Sequence, residues 1–168
     1  ETADGFSVTS SHPTTNYNNA DMVSYFWNMG GTSVANTTGS INSTVRASTT
    51  YGQSIVSYTG TGSNATVGHG LSSAPEMIIV KRRSSSESGM VYHAGIASDA
   101  ETDAIKLNTT DAAFDDNSAW NDTAPTSSVF SLGTGGTNGS SETHIAYCSG
   151  VKAPPLSLQL ADDLHGPW

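Results

Sequence analysis

The sequence predicts an all-β protein, an antiparallel two-sheet sandwich of jelly-roll or lectin-like kind, with at most a short helical turn near residues 111–121. Three observations point there. Short apolar runs with a period near two recur along the chain, separated by Gly, Asn, Ser and Thr, and no stretch sustains the i, i+3, i+4 apolar spacing of an amphipathic helix. Only 12% of residues are charged, so the surface is made mostly of hydroxyls, amides and glycine, a palette poor in helix formers. The runs are joined by loops of very different length, which suits a sandwich better than an evenly spaced closed barrel. At 168 residues the chain has the size of one domain, enough to bury roughly 70% of its unfolded surface.

Taken in order, strands are expected at 5–8 (GFSV), 22–27 (MVSYFW), 54–58 (SIVSY), 77–82 (MIIVKR), 90–93 (MVYH), 104–107 (AIKL), 129–132 (VFSL) and 144–148 (HIAYC). Met77, Ile78, Ile79 and Val80 are apolar on both faces, which predicts a central strand covered on both sides. The helical turn is assigned to 111–121, where Asp and Ser can cap and Ala112, Ala113 and Phe114 can follow. Beyond residue 150, Pro154-Pro155 stops any strand. The alternating Leu156, Leu158 and Leu160 suit addition to a neighbour's sheet edge, so 151–168 reads as an extended C-terminal arm used in assembly, with a helical arm and terminal disorder as the competing readings.

A partial repeat organises the rest. "FSVTSSHPTTNYNNADMVSYFW", from Phe6, aligns with "FSLGTGGTNGSSETHIAYC", from Phe130: a Phe-Ser-apolar strand, a polar loop with Asn, an acid, then apolar-Ser/Ala-Tyr. The copies are about 120 residues apart, the size of a domain and not of a solenoid unit. Residues 1–150 are therefore expected to form a single sandwich, in which 1–29 has the pattern of the last hairpin of a preceding repeat, 30–50 is a connection and 51–150 is the main unit. The chain opens at Glu1, without an initiator Met, as a mature product or a piece of something longer would.

Composition restricts the function classes. A net charge of -9, from six Lys plus Arg against fifteen Asp plus Glu, argues against a nucleic-acid surface, and only Lys81, Arg82 and Arg83 cluster. No run approaches the ~20 apolar residues of a membrane span. Cys148 is the sole cysteine, so neither an intrachain disulfide nor a cysteine-rich zinc site is available. Gly60-Thr61-Gly62 lacks the spacing of a dinucleotide loop and the Lys of a P-loop, and reads as a turn, with Gly68-His69-Gly70 at a strand edge. His69, His93 and His144 could converge on zinc, yet none share the short spacing of a local site. No G-x-S-x-G elbow supports a serine hydrolase. The acid pairs Asp115-Asp116 and Asp162-Asp163 are the candidates for calcium or glycosidase chemistry, with solvation as the plainer reading. No cofactor is expected.

The most lectin-like feature is Trp120 beside Asn121 and Asp122: an aromatic face stacks on a sugar while amide and carboxylate groups take its hydroxyls. Packing of Trp120 across the sandwich is the competing reading. Six Asn-x-Ser/Thr sequons, at Asn36, Asn42, Asn64, Asn108, Asn121 and Asn138, follow from a composition this rich in Asn, Ser and Thr.

The run "SIVSYTGTGSNATVGHGLSSAPEMIIVKRR", followed by "VYH", "LNTTDAA", Trp120 and "TAPTSSVFSLGTGGTNGSSETHIAYC", resembles a repeated β-sandwich domain of structural and tail-region proteins of marine bacteriophages. The resemblance covers 51–150, with 4–29 as the end of a preceding copy, and the chain departs from the pattern after Gly150. It implies a virion-associated sandwich and carries no catalytic residues with it. The expected function is thus that of a non-enzymatic bacteriophage structural protein on the virion surface: a tail fibre, appendage or capsid decoration module. Its expected partners are other copies of itself, other virion proteins and host-cell glycan, with no nucleic acid and no membrane insertion. A secreted carbohydrate-binding module is the alternative, marked by an exposed Trp120. A hydrolase on the same fold would need His69, His93 or His144 gathered with Asp or Ser.

Overall fold

The computed structural model describes residue 29 and residues 31–150, which form ten strands and one helical turn. In chain order these are β1 (Val34–Asn36), β2 (Ser43–Ser48), β3 (Gln53–Thr59), β4 (Ala65–Gly68), β5 (Met77–Arg82), β6 (Met90–His93), β7 (Asp103–Lys106), β8 (Phe114–Asp115), α1 (Asn117–Trp120), β9 (Val129–Leu132) and β10 (Thr143–Ser149). Eight of them make one antiparallel sheet in the order β1-β2-β3-β10-β5-β6-β7-β8, and β4 pairs with β9 in a second, two-stranded sheet. The protein is an all-β sandwich.

Period-two alternation decides which side of the large sheet is covered. In β3, Ser54, Val56 and Tyr58 are buried between half-buried Gln53, Ile55 and Ser57. The last strand, β10, runs up the middle, with Ala146 opposite Val56 on one side and Val80 on the other. The small sheet lies over this inner face, so Val67, Phe130 and Leu132 close on Val45, Val56, Ile78 and Val80 in one core. Each such side chain, taken fully from water, contributes about 1.5–3 kcal/mol.

Hydroxyls tie the two layers at one corner. Ile41, just before β2, makes a parallel bridge to Val67 of β4. Beside it the Ser40 amide donates to Thr66 Oγ1 at 3.0 Å, and the Thr66 amide donates to Ser40 Oγ at 2.8 Å. At the other end of the small sheet the loop after β9 returns to α1, where the Gly133 and Gly135 amides donate to Ala119 and Ser118 carbonyls at 3.1 and 2.9 Å.

Strands β5, β6 and β9 have the expected bounds, and β3, β7 and β10 differ from expectation by a residue at their ends. Four strands are additional. Residues 30–50, expected as a connection, contain β1 and β2, and β2 is held between β1 and β3 although only Val45 and Ala47 of its residues are apolar. The hydroxyl-rich β4 and the two-residue β8 are the others. The helical turn occupies only 117–120 of the expected 111–121: Asp116 Oδ1 caps it by accepting from the Ser118 amide at 3.0 Å. Asn121, left-handed at φ 54°, ends the turn by donating to the Asn117 carbonyl.

Residues 77–80 do form an interior strand, but the two faces are unequal: Ile78 and Val80 are 0% and 1% exposed, whereas Met77 and Ile79 are only half-buried. The strands expected at 5–8 and 22–27, the arm at 151–168 and the acids Asp162 and Asp163 lie outside the described residues.

Candidate functional site

Two of the three described histidines, His69 and His144, are spent on packing. His69 follows directly from β4 and has no exposed surface; its Nε2–H donates to the Thr126 carbonyl at 3.1 Å and its Nδ1 accepts the Leu71 amide at 3.1 Å. Burial lowers its pKa below 6.5, with the Thr126 bond opposing. Gly68 beside it leaves room for Asn36, whose side-chain amide would have to move aside for a Cβ at that position. His144, also without exposed surface, stacks on Tyr58 with ring centroids 5.1 Å apart and 9° between planes. Its Nδ1–H donates to the Glu142 carbonyl at 3.0 Å, and Tyr58 donates its hydroxyl to the Thr137 carbonyl at 2.6 Å. Burial lowers the His144 pKa, the Glu142 carbonyl opposes this, and the nearby Arg82 adds to the lowering.

His93 and His144 do not converge. His144 pairs with Arg82 at one end of β5 and His93 with Met77 at the other, so about 17 Å of strand separates them. His93 is exposed, its Nδ1 accepting the Gly95 amide at 3.0 Å. Among the described residues no group of three His, Cys, Asp or Glu side chains is placed to hold a metal ion. The hydrolase expectation needed histidines gathered with Asp or Ser, and the register sets His93 and His144 at opposite ends of β5.

Other candidates are likewise tied into the fold. Desolvation pushes the buried Cys148 thiol up to about 12, beside the Ser54 hydroxyl, so the thiolate that nucleophilic or metal chemistry needs is disfavoured. Asp116 is the cap of α1, while Asp115 beside it is exposed. The glycines of Gly60-Thr61-Gly62 shape a turn, and what they approach is protein. The Gly60 amide donates to the Glu142 carbonyl at 2.8 Å, Thr61 and Gly62 donate to Asn138 at 2.8 Å each, and Gly62 has φ 73°. Buried Asn138 completes the joint, its Nδ2 donating to the Ser63 and Gly133 carbonyls at 2.7 and 2.9 Å.

Trp120, read from the sequence as a possible sugar platform, is 2% exposed. Its ring meets the edge of Tyr92 at 6.1 Å inside the core, so neither face is offered to a sugar. The physical reason is local: α1 is one turn long and is held by its C-terminal side chain, because so short a helix has no stability of its own. Asn121 is engaged with the Asn64 side chain, and exposed Asp122 sits at φ 44° after the cap.

Alternation splits the Lys81-Arg82-Arg83 run between two sides of the sheet. Arg82 faces Glu87 and Glu142 at 3.4 and 3.9 Å. Arg83 faces the opposite way, at the end of the large sheet where β2 and β10 begin and β3 and β5 end, its amide donating to the Thr143 carbonyl at 2.7 Å. There a groove of about 410 Å³ is bounded, among the described residues, by Asn42, Thr44, Ser57, Thr59, Thr143 and Arg83. Register builds it: Thr44 is opposite Ser57, and Thr59 is opposite Thr143. Sequence reasoning missed this groove, whose only trace is that the outward positions at these strand ends are hydroxyls and not aliphatics.

The chain matches, over residues 1–152, the family described as a domain of unknown function, DUF7483. No curated protein and no solved structure matches it. The chain belongs to the DUF7483 family.

Proposed function

We propose that this family member is a non-enzymatic structural module of a bacteriophage particle, part of a tail fibre, appendage or capsid decoration, that works through assembly contacts. The observation that carries the reading is where the chemistry-bearing side chains go. His69, His144, Asn138, Asp116 and Cys148 each hold two parts of the sandwich together or are sealed inside it. A frame whose polar groups are committed inward, under a surface of hydroxyls and few charges, suits a durable building block better than an enzyme, which keeps such groups poised and accessible. The sequence resemblance to virion repeats supplies the setting, and the particle surface is the proposed location.

In this reading the partners are further copies of the chain or other virion proteins. The segment with Leu156, Leu158 and Leu160 is the proposed contact, adding to a neighbour's sheet edge. Molar mass by light scattering, with and without the residues after Gly150, tests it. A defined oligomer that dissociates on truncation is expected. A monomer in both forms, together with absence of the chain from purified particles, would contradict the proposal.

A further inference from the structure

We propose that the groove at the end of the large sheet is a binding site for a carboxylated sugar, with Arg83 taking the carboxylate. The motivating anomaly is electrostatic. The chain carries fifteen acids against six Lys and Arg, so a cation ordinarily finds a carboxylate or carbonyl nearby. Arg82 pairs with Glu87 and Glu142, Lys106 with Asp111, the Lys81 ammonium donates to the Arg82 carbonyl, and Arg46 donates to the Gly31 carbonyl. Exposed Arg83 is the exception: among the described residues its guanidinium meets no carboxylate, and no acid borders the groove it faces. A guanidinium presents paired N–H donors that match a carboxylate two bonds at a time, which gives the pairing geometric specificity besides its charge.

The rest of the lining selects for a polyol. Thr44, Ser57, Thr59 and Thr143 offer hydroxyls that both donate and accept, and Asn42 adds an amide, on adjacent strands held in fixed register. At about 410 Å³ the groove falls within the ordinary range of small-molecule sites, roughly 300–1,000 Å³. The described lining includes no aromatic side chain turned outward, since Tyr58 points into the core. Recognition therefore rests on hydrogen bonds and one charge, a combination that is weak for a single sugar and gains strength when a multivalent particle meets a polymer.

The inference goes beyond the assembly role proposed above, and its test is separate from that of assembly. Amide shifts of the full chain are followed by NMR on titration with galacturonate, galactose and inorganic sulfate. Galacturonate is expected to move Thr44, Ser57, Thr59 and Thr143, with galactose and sulfate each at least about tenfold weaker. Arg83→Gln is expected to weaken galacturonate about tenfold or more while leaving galactose and the unfolding midpoint unchanged, and Ser57→Ala to weaken both sugars. No shifts at these residues, equal binding of the two sugars, insensitivity to Arg83→Gln, or sulfate binding as tightly as galacturonate would each overturn the site. Loss of sugar binding with oligomerisation intact would discard the groove alone.

Discussion

The two faces of the large sheet are made by the same strands and differ in what they touch. On the inner face Val45, Val56, Ile78, Val80, Ala146 and Cys148 are all at most 2% exposed and belong to one core. On the outer face their neighbours Ile55, Ile79, Ile145 and Tyr147 are half-buried, and towards the groove the outward positions turn into Thr44, Ser57, Thr59 and Thr143. Val91 is the outer residue that departs from this, 8% exposed yet outside the core cluster. The difference teaches a division of labour: stability is concentrated on one side of each strand, which leaves the other side free to be shaped for contact.

The sharpest way to strain that division is to empty the core from the small sheet. Phe130→Ala, at a residue 1% exposed, should cost about 3–5 kcal/mol and bring the urea midpoint down sharply or abolish folding. Next in size, Asn138→Ala should cost about 2–3 kcal/mol in the same assay, because it strands the Thr61 amide and the Ser63 and Gly133 carbonyls at the joint between loops.

Legibility from sequence follows the same inner and outer logic. Strands such as β5, β6 and β9 announce themselves because their inward residues are large and aliphatic or aromatic. The strand character of β1, β2 and β4 comes from partners: Thr44 and Arg46 extend because β3 pairs beside them, and Thr66 because Ser40 bonds its backbone. No local period reveals that. Trp120 was legible as an important aromatic but not as inner or outer, since its flanking Asn and Asp suit a helix cap as well as a sugar site. The groove was illegible because its hydroxyls come from strands distant in the chain and only register assembles them.

Acid should also act on the inner side. His69 and His144 have folded pKa values lowered mainly by burial, so between those values and the unfolded value near 6.5 the unfolded chain binds more protons. Stability present above about pH 6.5 is then lost as pH falls through the folded values, and the urea midpoint should drop between about pH 7.5 and 5. A midpoint that stays level over that range would contradict the buried-neutral assignment. The smallest effect expected is that of Asp116→Ala, about 1 kcal/mol, as α1 loses its cap while Trp120 still anchors it. A much larger loss would mean that the cap, and not the inward Trp120, holds this corner.

One pair of variants tests the division of labour most directly. Ile78 and Ile79 are adjacent in β5 and identical in chemistry, and they point to opposite faces. Urea unfolding of Ile78→Ala should show a loss of about 2–5 kcal/mol, and Ile79→Ala a loss of about 1 kcal/mol or less. Equal losses, or a greater one for Ile79→Ala, would show that the outer face carries as much of the fold as the inner and would contradict the account.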